Sequence, residues 1–102
     1  MCFSILMEAK NKNELILIDG GMCHFHLRKD GQLTIREIVS TKFGAGKEIL
    51  SILMTIEGVK FIIAKCPTWL DSNTWYQKNG FYVFGVEKTK SGKEVNVWKR
   101  DV

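Results

Sequence analysis

Proline is almost missing from these 102 residues: Pro67 stands alone, and no serine- or glycine-rich stretch accompanies it. With no linker composition, the length allows one hydrophobic core, so residues 1–102 read as one domain. Long apolar runs are also missing. The strongest, residues 15–18 and 49–54, fall far short of the roughly 20 residues a membrane-spanning helix needs. Met1-Cys2-Phe3-Ser4 has neither the basic opening nor the cleavage pattern of a signal peptide, so the cytoplasm is the expected location and no membrane is expected as a partner. Cysteine is scarce. Cys2, Cys23 and Cys66 cannot all pair within one chain, and their spacing fits neither a disulfide framework nor a CxxC metal pattern. Reduced thiols are expected, and Cys23 and Cys66 read as small core residues because no Cys–His–Asx set accompanies them.

What is present is an ordinary globular balance, 45% apolar and 25% charged. Fifteen basic against eleven acidic side chains leave a formal charge of +4, which favours an anionic ligand. The basic residues are scattered, with one modest cluster at Lys88, Lys90, Lys93, Lys99 and Arg100. Such a cluster reads as a solvated face before it reads as a nucleic-acid groove, so nucleic acid is a weakly supported partner.

The order of elements follows from periodicity and turn residues. Residues 3–13 carry Phe3, Leu6, Met7 and Lys10 at helical spacing. Residues 15–18 read as a strand closed by Asp19-Gly20-Gly21, residues 22–28 as a second, and residues 33–40 as its return after Lys29-Asp30-Gly31-Gln32. After Phe43-Gly44-Ala45-Gly46 the period changes: Ile49, Ile52, Leu53 and Ile56 predict a helix stopped at Gly58. Residues 59–65 form an apolar strand before Pro67. Asp71 or Ser72 caps a short helix through Lys78, ended by Asn79-Gly80, and residues 81–86 and 95–98 make a final hairpin. The strand–helix–strand unit of residues 33–65 is long enough for a right-handed parallel crossover, so the expected fold is α/β or α+β with a mixed, mostly antiparallel sheet.

Gly44-Ala45-Gly46 follows a strand and opens a helix. Glycines there let backbone approach a ligand, and the first helical N–H groups lack partners within the helix. The helix dipole adds partial positive charge, and Lys42 and Lys47 flank the turn, which makes an anion site. Two other phosphate motifs fail. A P-loop needs Ser or Thr where Glu48 stands, and a dinucleotide fingerprint needs glycine where Ile49 stands.

A second signal lies in Ser72-Asn73-Thr74-Trp75-Tyr76-Gln77-Lys78-Asn79-Gly80-Phe81. Together with the strand pair around His24 to Gly31 and Thr34 to Val39, the glycine turn and Lys65-Cys66-Pro67, it resembles the GNAT acetyltransferase superfamily over residues 21–84. The resemblance implies the acyl-CoA N-acyltransferase fold and an N-acetyltransferase using acetyl-CoA and an amine acceptor. The coenzyme pyrophosphate would sit at Lys42, Phe43, Gly44, Ala45, Gly46 and Lys47, and the pantetheine between the parallel strands at residues 33–40 and 59–65. The chain departs from the family in having Thr41 where Arg or Gln precedes the first glycine, and in a shorter segment between Val39 and Gly44. The leading helices are reduced to residues 3–13, which implies an open site for a bulky acceptor or a homodimer that completes the wall.

Direct attack of an amine on a thioester needs a carbonyl polariser, a base and a proton for the departing thiolate. By resemblance the polarising N–H lies in Ile38-Val39-Ser40, with Val39 as donor. Tyr76 matches the tyrosine that protonates or hydrogen-bonds the coenzyme sulfur; an aromatic anchor is its alternative role. Asn73 is a candidate pantetheine contact, or a helix cap. Glu37 is a candidate water-mediated base that would share its sheet face with Ile35 and Val39, or a surface carboxylate paired with Arg36 or Arg28. His24 and His26 share a strand face and are candidates for acceptor contact; with no third ligand, no metal site is expected. Trp69 and Trp75 line the acceptor groove or serve packing.

Overall fold

The computed structural model describes residues 14–102, so the helix expected over residues 3–13 lies outside the described residues. Six strands and two helices follow in order: β1 (Leu15–Ile18), β2 (Gly21–Leu27), β3 (Gln32–Ser40), α1 (Ala45–Thr55), β4 (Phe61–Pro67), α2 (Ser72–Lys78), β5 (Tyr82–Lys88) and β6 (Glu94–Asp101). The strands form one sheet in the order β1-β2-β3-β4-β6-β5. Every pairing is antiparallel except β3 with β4, which are joined through α1. The expected mixed sheet with a single parallel crossover is present.

Apolar periodicity explains which face is covered. Leu33 and Ile35 of β3, Ile62, Ala64 and Cys66 of β4, and Trp98 of β6 join Ile49, Leu50 and Leu53 of α1 and Tyr76 of α2 in one buried cluster. Both helices therefore lie on the same face. Leu33, Ile49, Leu53 and Ile62 are fully enclosed, each contributing roughly 1.5–3 kcal/mol through burial. Helix α1 packs on β1, β2 and β3, whereas α2 packs on β4. The expected strand over residues 59–65 runs instead from Phe61 to Pro67, with Gly58 in the left-handed region (φ 90°) just ahead of it. Pro67 closes the strand beyond its last β3 partner, where a missing N–H breaks no ladder with β3.

Two irregularities shape the middle of the sheet. The parallel ladder covers only four pairs, from Gln32–Phe61 to Ile35–Ala64. Past them β3 continues beside β2 as far as Ser40, and β4 continues beside β6 as far as Pro67. The facing edges thus part and leave a gap. The second irregularity is a bulge in β3: His24 pairs with Glu37 while Phe25 pairs with Ile35, so Arg36 is an extra residue. A bulge reverses the alternation of faces beyond it.

Candidate functional site

Gly44 initiates α1 in the left-handed conformation (φ 84°), with no side-chain cap. A side chain there would strain the turn, which is why glycine suits the position. Ala45 N–H bonds back to the Lys42 carbonyl at 3.2 Å and Glu48 N–H to the Gly44 carbonyl at 3.1 Å. The N–H groups of Gly46 and Lys47 have no acceptor among the described residues. They open into a cavity of about 420 Å³ bordered by Ser40, Lys42, Phe43, Gly44, Gly46, Lys47, Trp75, Lys78 and Asn79. Three lysines thus face the place where the helix dipole is positive. Lys42 is partly committed elsewhere: its Nζ lies 2.5 Å from Asp19 Oδ2.

A second cavity of about 250 Å³, lined by Ile38, Ser40, Gly46, Ser72, Trp75 and Tyr76, continues from the first. Ser40, Gly46 and Trp75 border both, so one groove runs from the glycine turn to the parting of β3 and β4. Gly46 permits this closeness. A Cβ at Gly46 would lie 3.0 Å from Trp75 Cζ2 and 3.1 Å from its Nε1, so the indole covers the glycine as a wall of the groove. The second helix places its residues by spacing: Ser72, Trp75, Tyr76 and Asn79 fall at i, i+3, i+4 and i+7 on one side, and Lys78 joins them from the last helical position. Of these, Ser72, Lys78 and Asn79 escaped the sequence reading as groove residues, although the i, i+7 spacing of Ser72 and Asn79 carried a signal.

Tyr76 is 6% exposed. Its ring stacks on Trp98 (centroids 6.1 Å apart) and meets Trp75 and Phe81 edge-on at 5.2 and 5.3 Å. The ring thus serves as the aromatic anchor of α2, and the residue also borders the inner cavity. Its hydroxyl has no partner among the described residues, and burial, with lesser contributions from Cys66 and Cys23, pushes its pKa up to about 12. Burial likewise lifts the Cys23 thiol to about 12, which leaves it a protonated core group. Cys66 Sγ lies 3.4 Å from Ser72 Oγ.

The bulge at Arg36 changes the expected grouping of Glu37. Ile35 points into the helix-covered core, and Ile38 and Ser40 line the groove, whereas Glu37 and Val39 point to the opposite face. Glu37 stands directly across from His24 on that face. His24 is 5% exposed, and its Nδ1 has no partner among the described residues. His26 lies on the same face, with Nδ1 2.8 Å from Glu14 Oε1. No cluster able to hold a metal occurs among the described residues.

Val39 does not supply the N–H at the gap. Thr41 donates its N–H to the Gly20 carbonyl at 2.7 Å, and in an antiparallel ladder residues two apart point the same way. The Val39 N–H therefore faces β2, and those of Ile38 and Ser40 face the gap. Asn73 is also corrected. Its Nδ2 donates to the Pro67 and Leu70 carbonyls at 2.8 and 2.7 Å, and its Oδ1 accepts from Trp98 Nε1 at 2.8 Å and Asn96 Nδ2 at 3.1 Å. An amide with every position used has nothing left for a pantetheine. Asp71, expected as a helix cap, makes no side-chain cap bond.

Trp69 is exposed in the loop after β4, with Lys93 Nζ 5.3 Å from its ring centroid; neither groove cavity includes it. The basic cluster disperses. Lys99 lies over the rings of Phe61 and Phe84 at 4.5 and 4.9 Å, while Arg100 donates to the Asn79 carbonyl at the end of α2. No helix of the described residues is long and apolar enough to cross a membrane.

No family model matches this sequence, and no curated protein matches it. Solved structures do. The chain superposes on a protein assigned as an acetyltransferase of the GNAT family from Desulfovibrio desulfuricans with a TM-score of 0.70 at 14% identity. It superposes on RimL, the ribosomal L7/L12 alpha-N-protein acetyltransferase in its apo form, with a TM-score of 0.63 at 20% identity. Each match covers 80% of this chain and 61% of the other, so the chain spans about six-tenths of the length of either neighbour. The fold is that of the GNAT acetyltransferases.

Proposed function

We propose that this chain binds acetyl-CoA along the groove and transfers the acetyl group to an amine that arrives from the opposite face of the sheet. The observation that carries this reading is the end of parallel pairing at Ile35–Ala64. A gap there, continuous with a cavity reaching the Gly44 turn, suits a long donor with a charged end and a reactive end. The pyrophosphate would meet the Gly46 and Lys47 amides with Lys47 and Lys78 beside them. The pantetheine would follow Ser40 and Trp75 to the inner cavity, where the N–H of Ile38 or Ser40 would polarise the thioester carbonyl.

In the reaction the amine nitrogen forms a bond to the acetyl carbon and the carbon–sulfur bond breaks. Glu37, directly or through a water, takes the proton the amine loses. The Tyr76 phenol, held protonated by burial, donates its proton to the coenzyme thiolate and is reprotonated from solvent. The acid borders the cavity while the base lies on the other face, which matches a thioester and an amine approaching the gap from opposite sides.

A second reading, a CoA-binding module with weak turnover, draws on the turn itself. Thr41 occupies the position of the usual Arg or Gln and is spent on Gly20, through both its N–H and its Oγ1, and Lys42 is drawn to Asp19. Calorimetric titration with acetyl-CoA, alongside an assay of free thiol release with a panel of primary amines, decides between the two. Binding with thiol release supports transfer, binding without release supports the module, and absence of binding defeats both. Gly46→Glu, which fills the turn with a side chain and a negative charge, is expected to abolish binding.

A further inference from the structure

Resting on that reading, we infer that Phe43 is a stacking platform for the nucleobase of the donor, so that the site selects a nucleotide-borne thioester over one carried on phosphopantetheine alone. Phe43 is fully exposed to solvent, although burying such a ring is ordinarily favourable. It occupies the tip of the turn between β3 and α1, immediately before Gly44, and helps border the outer cavity with Lys47 and Lys78. Neither lysine has an acidic partner among the described residues. An aromatic face beside two uncompensated cations fits a ring tethered to phosphates. The rings of a nucleotide stack on aromatic side chains irrespective of base identity, and the lysines complement its phosphate charge. The inner cavity, by contrast, has no such cation on its border. The two ends of the groove therefore recognise different parts of one ligand.

The test compares CoA with 4′-phosphopantetheine by calorimetry on the wild type, Phe43→Ala and Phe43→Trp. Phe43 belongs to no buried cluster, so its replacement leaves the core packing in place. The inference expects Phe43→Ala to weaken CoA binding by about five- to tenfold, with phosphopantetheine binding unchanged and Phe43→Trp retaining wild-type affinity for CoA. Equal CoA affinity in wild type and Phe43→Ala overturns the stacking role, as does a proportionate loss for both compounds, and either leaves the CoA reading standing. Failure of the wild type to bind either compound removes the CoA reading and this inference with it.

Discussion

Ile35 and Glu37, two residues apart on one strand, point to opposite faces of the sheet, because Arg36 is inserted between the pairs Phe25–Ile35 and His24–Glu37. In a regular strand they would share a face. The bulge puts the carboxylate on the side away from the groove, the side from which the proposed reaction brings the amine. Glu37→Gln is expected to slow transfer by about a hundredfold at saturating donor and to leave CoA affinity unchanged. Steady-state rates paired with calorimetry check this; a parallel loss of donor affinity would place Glu37 in donor binding instead.

Tyr76 separates catalysis from packing. Its hydroxyl has no partner among the described residues, so Tyr76→Phe keeps the aromatic stack on Trp98 and is expected to retain CoA binding. Turnover should fall by about a hundredfold or more. Normal turnover in the variant would rule out its role as proton donor.

The same burial makes stability depend on alkaline pH. The folded protein holds the Cys23 thiol and the Tyr76 phenol protonated up to about pH 12, against ordinary values of 9.0 and 10.0. The unfolded chain binds fewer protons above those ordinary values, so stability is unaffected below pH 9 and declines as pH rises from 9 towards 12. Urea unfolding at pH 7, 9 and 10.5 is expected to show that fall. Tyr76→Phe should flatten the portion above pH 10, and an unchanged slope would mean the phenol ionises as freely folded as unfolded.

Gly46 and Trp75 form the wall of the groove together. A methyl group at Gly46 would press on the indole at 3.0 Å, so Gly46→Ala is expected to displace the ring and weaken CoA binding about tenfold. In a Trp75→Phe background the same change should cost much less, giving a coupling of at least about 0.5 kcal/mol in a double-mutant cycle. Additive effects would mean that the two residues act independently.

Asn73 is predicted to matter for stability rather than for the donor. Asn73→Ala strips the acceptor from Trp98 Nε1 and Asn96 Nδ2 and the donor from two carbonyls. An expected loss of about 2–3 kcal/mol follows from buried polar groups left unpaired. Chemical denaturation measures it, and CoA affinity of the folded variant should stay within about threefold of wild type.

The succession of strands and helices along the chain was legible because local signals agreed: Gly31, Gly58, Gly80 and Gly92 all adopt the positive φ that their turns and stops require, whereas the place of β6 between β4 and β5 was not. The glycine turn was legible as a local motif, whereas Tyr76 was singled out by resemblance alone. What could not be read was set by pairing between distant segments. The bulge at Arg36 depends on how β3 registers against β2, and it decides which side Glu37 takes and whether Ile38, Val39 or Ser40 turns its N–H to the gap. Asn73 was misassigned because its partners Asn96 and Trp98 lie more than twenty residues away, a distance across which no local pattern speaks. Lys42 and Asp19 meet for the same reason.

The two sides of the groove ride on separate parts of the molecule. Helix α1 packs on β1, β2 and β3, while α2 packs on β4 and is tied, through Asn73, to β6. Between these two halves the sheet is joined by the four pairs from Gln32–Phe61 to Ile35–Ala64, and the opening lies beyond the last of them. The last of those pairs, Ile35 with Ala64, therefore sets how deep the opening between β3 and β4 reaches, although neither residue lines the cavities themselves.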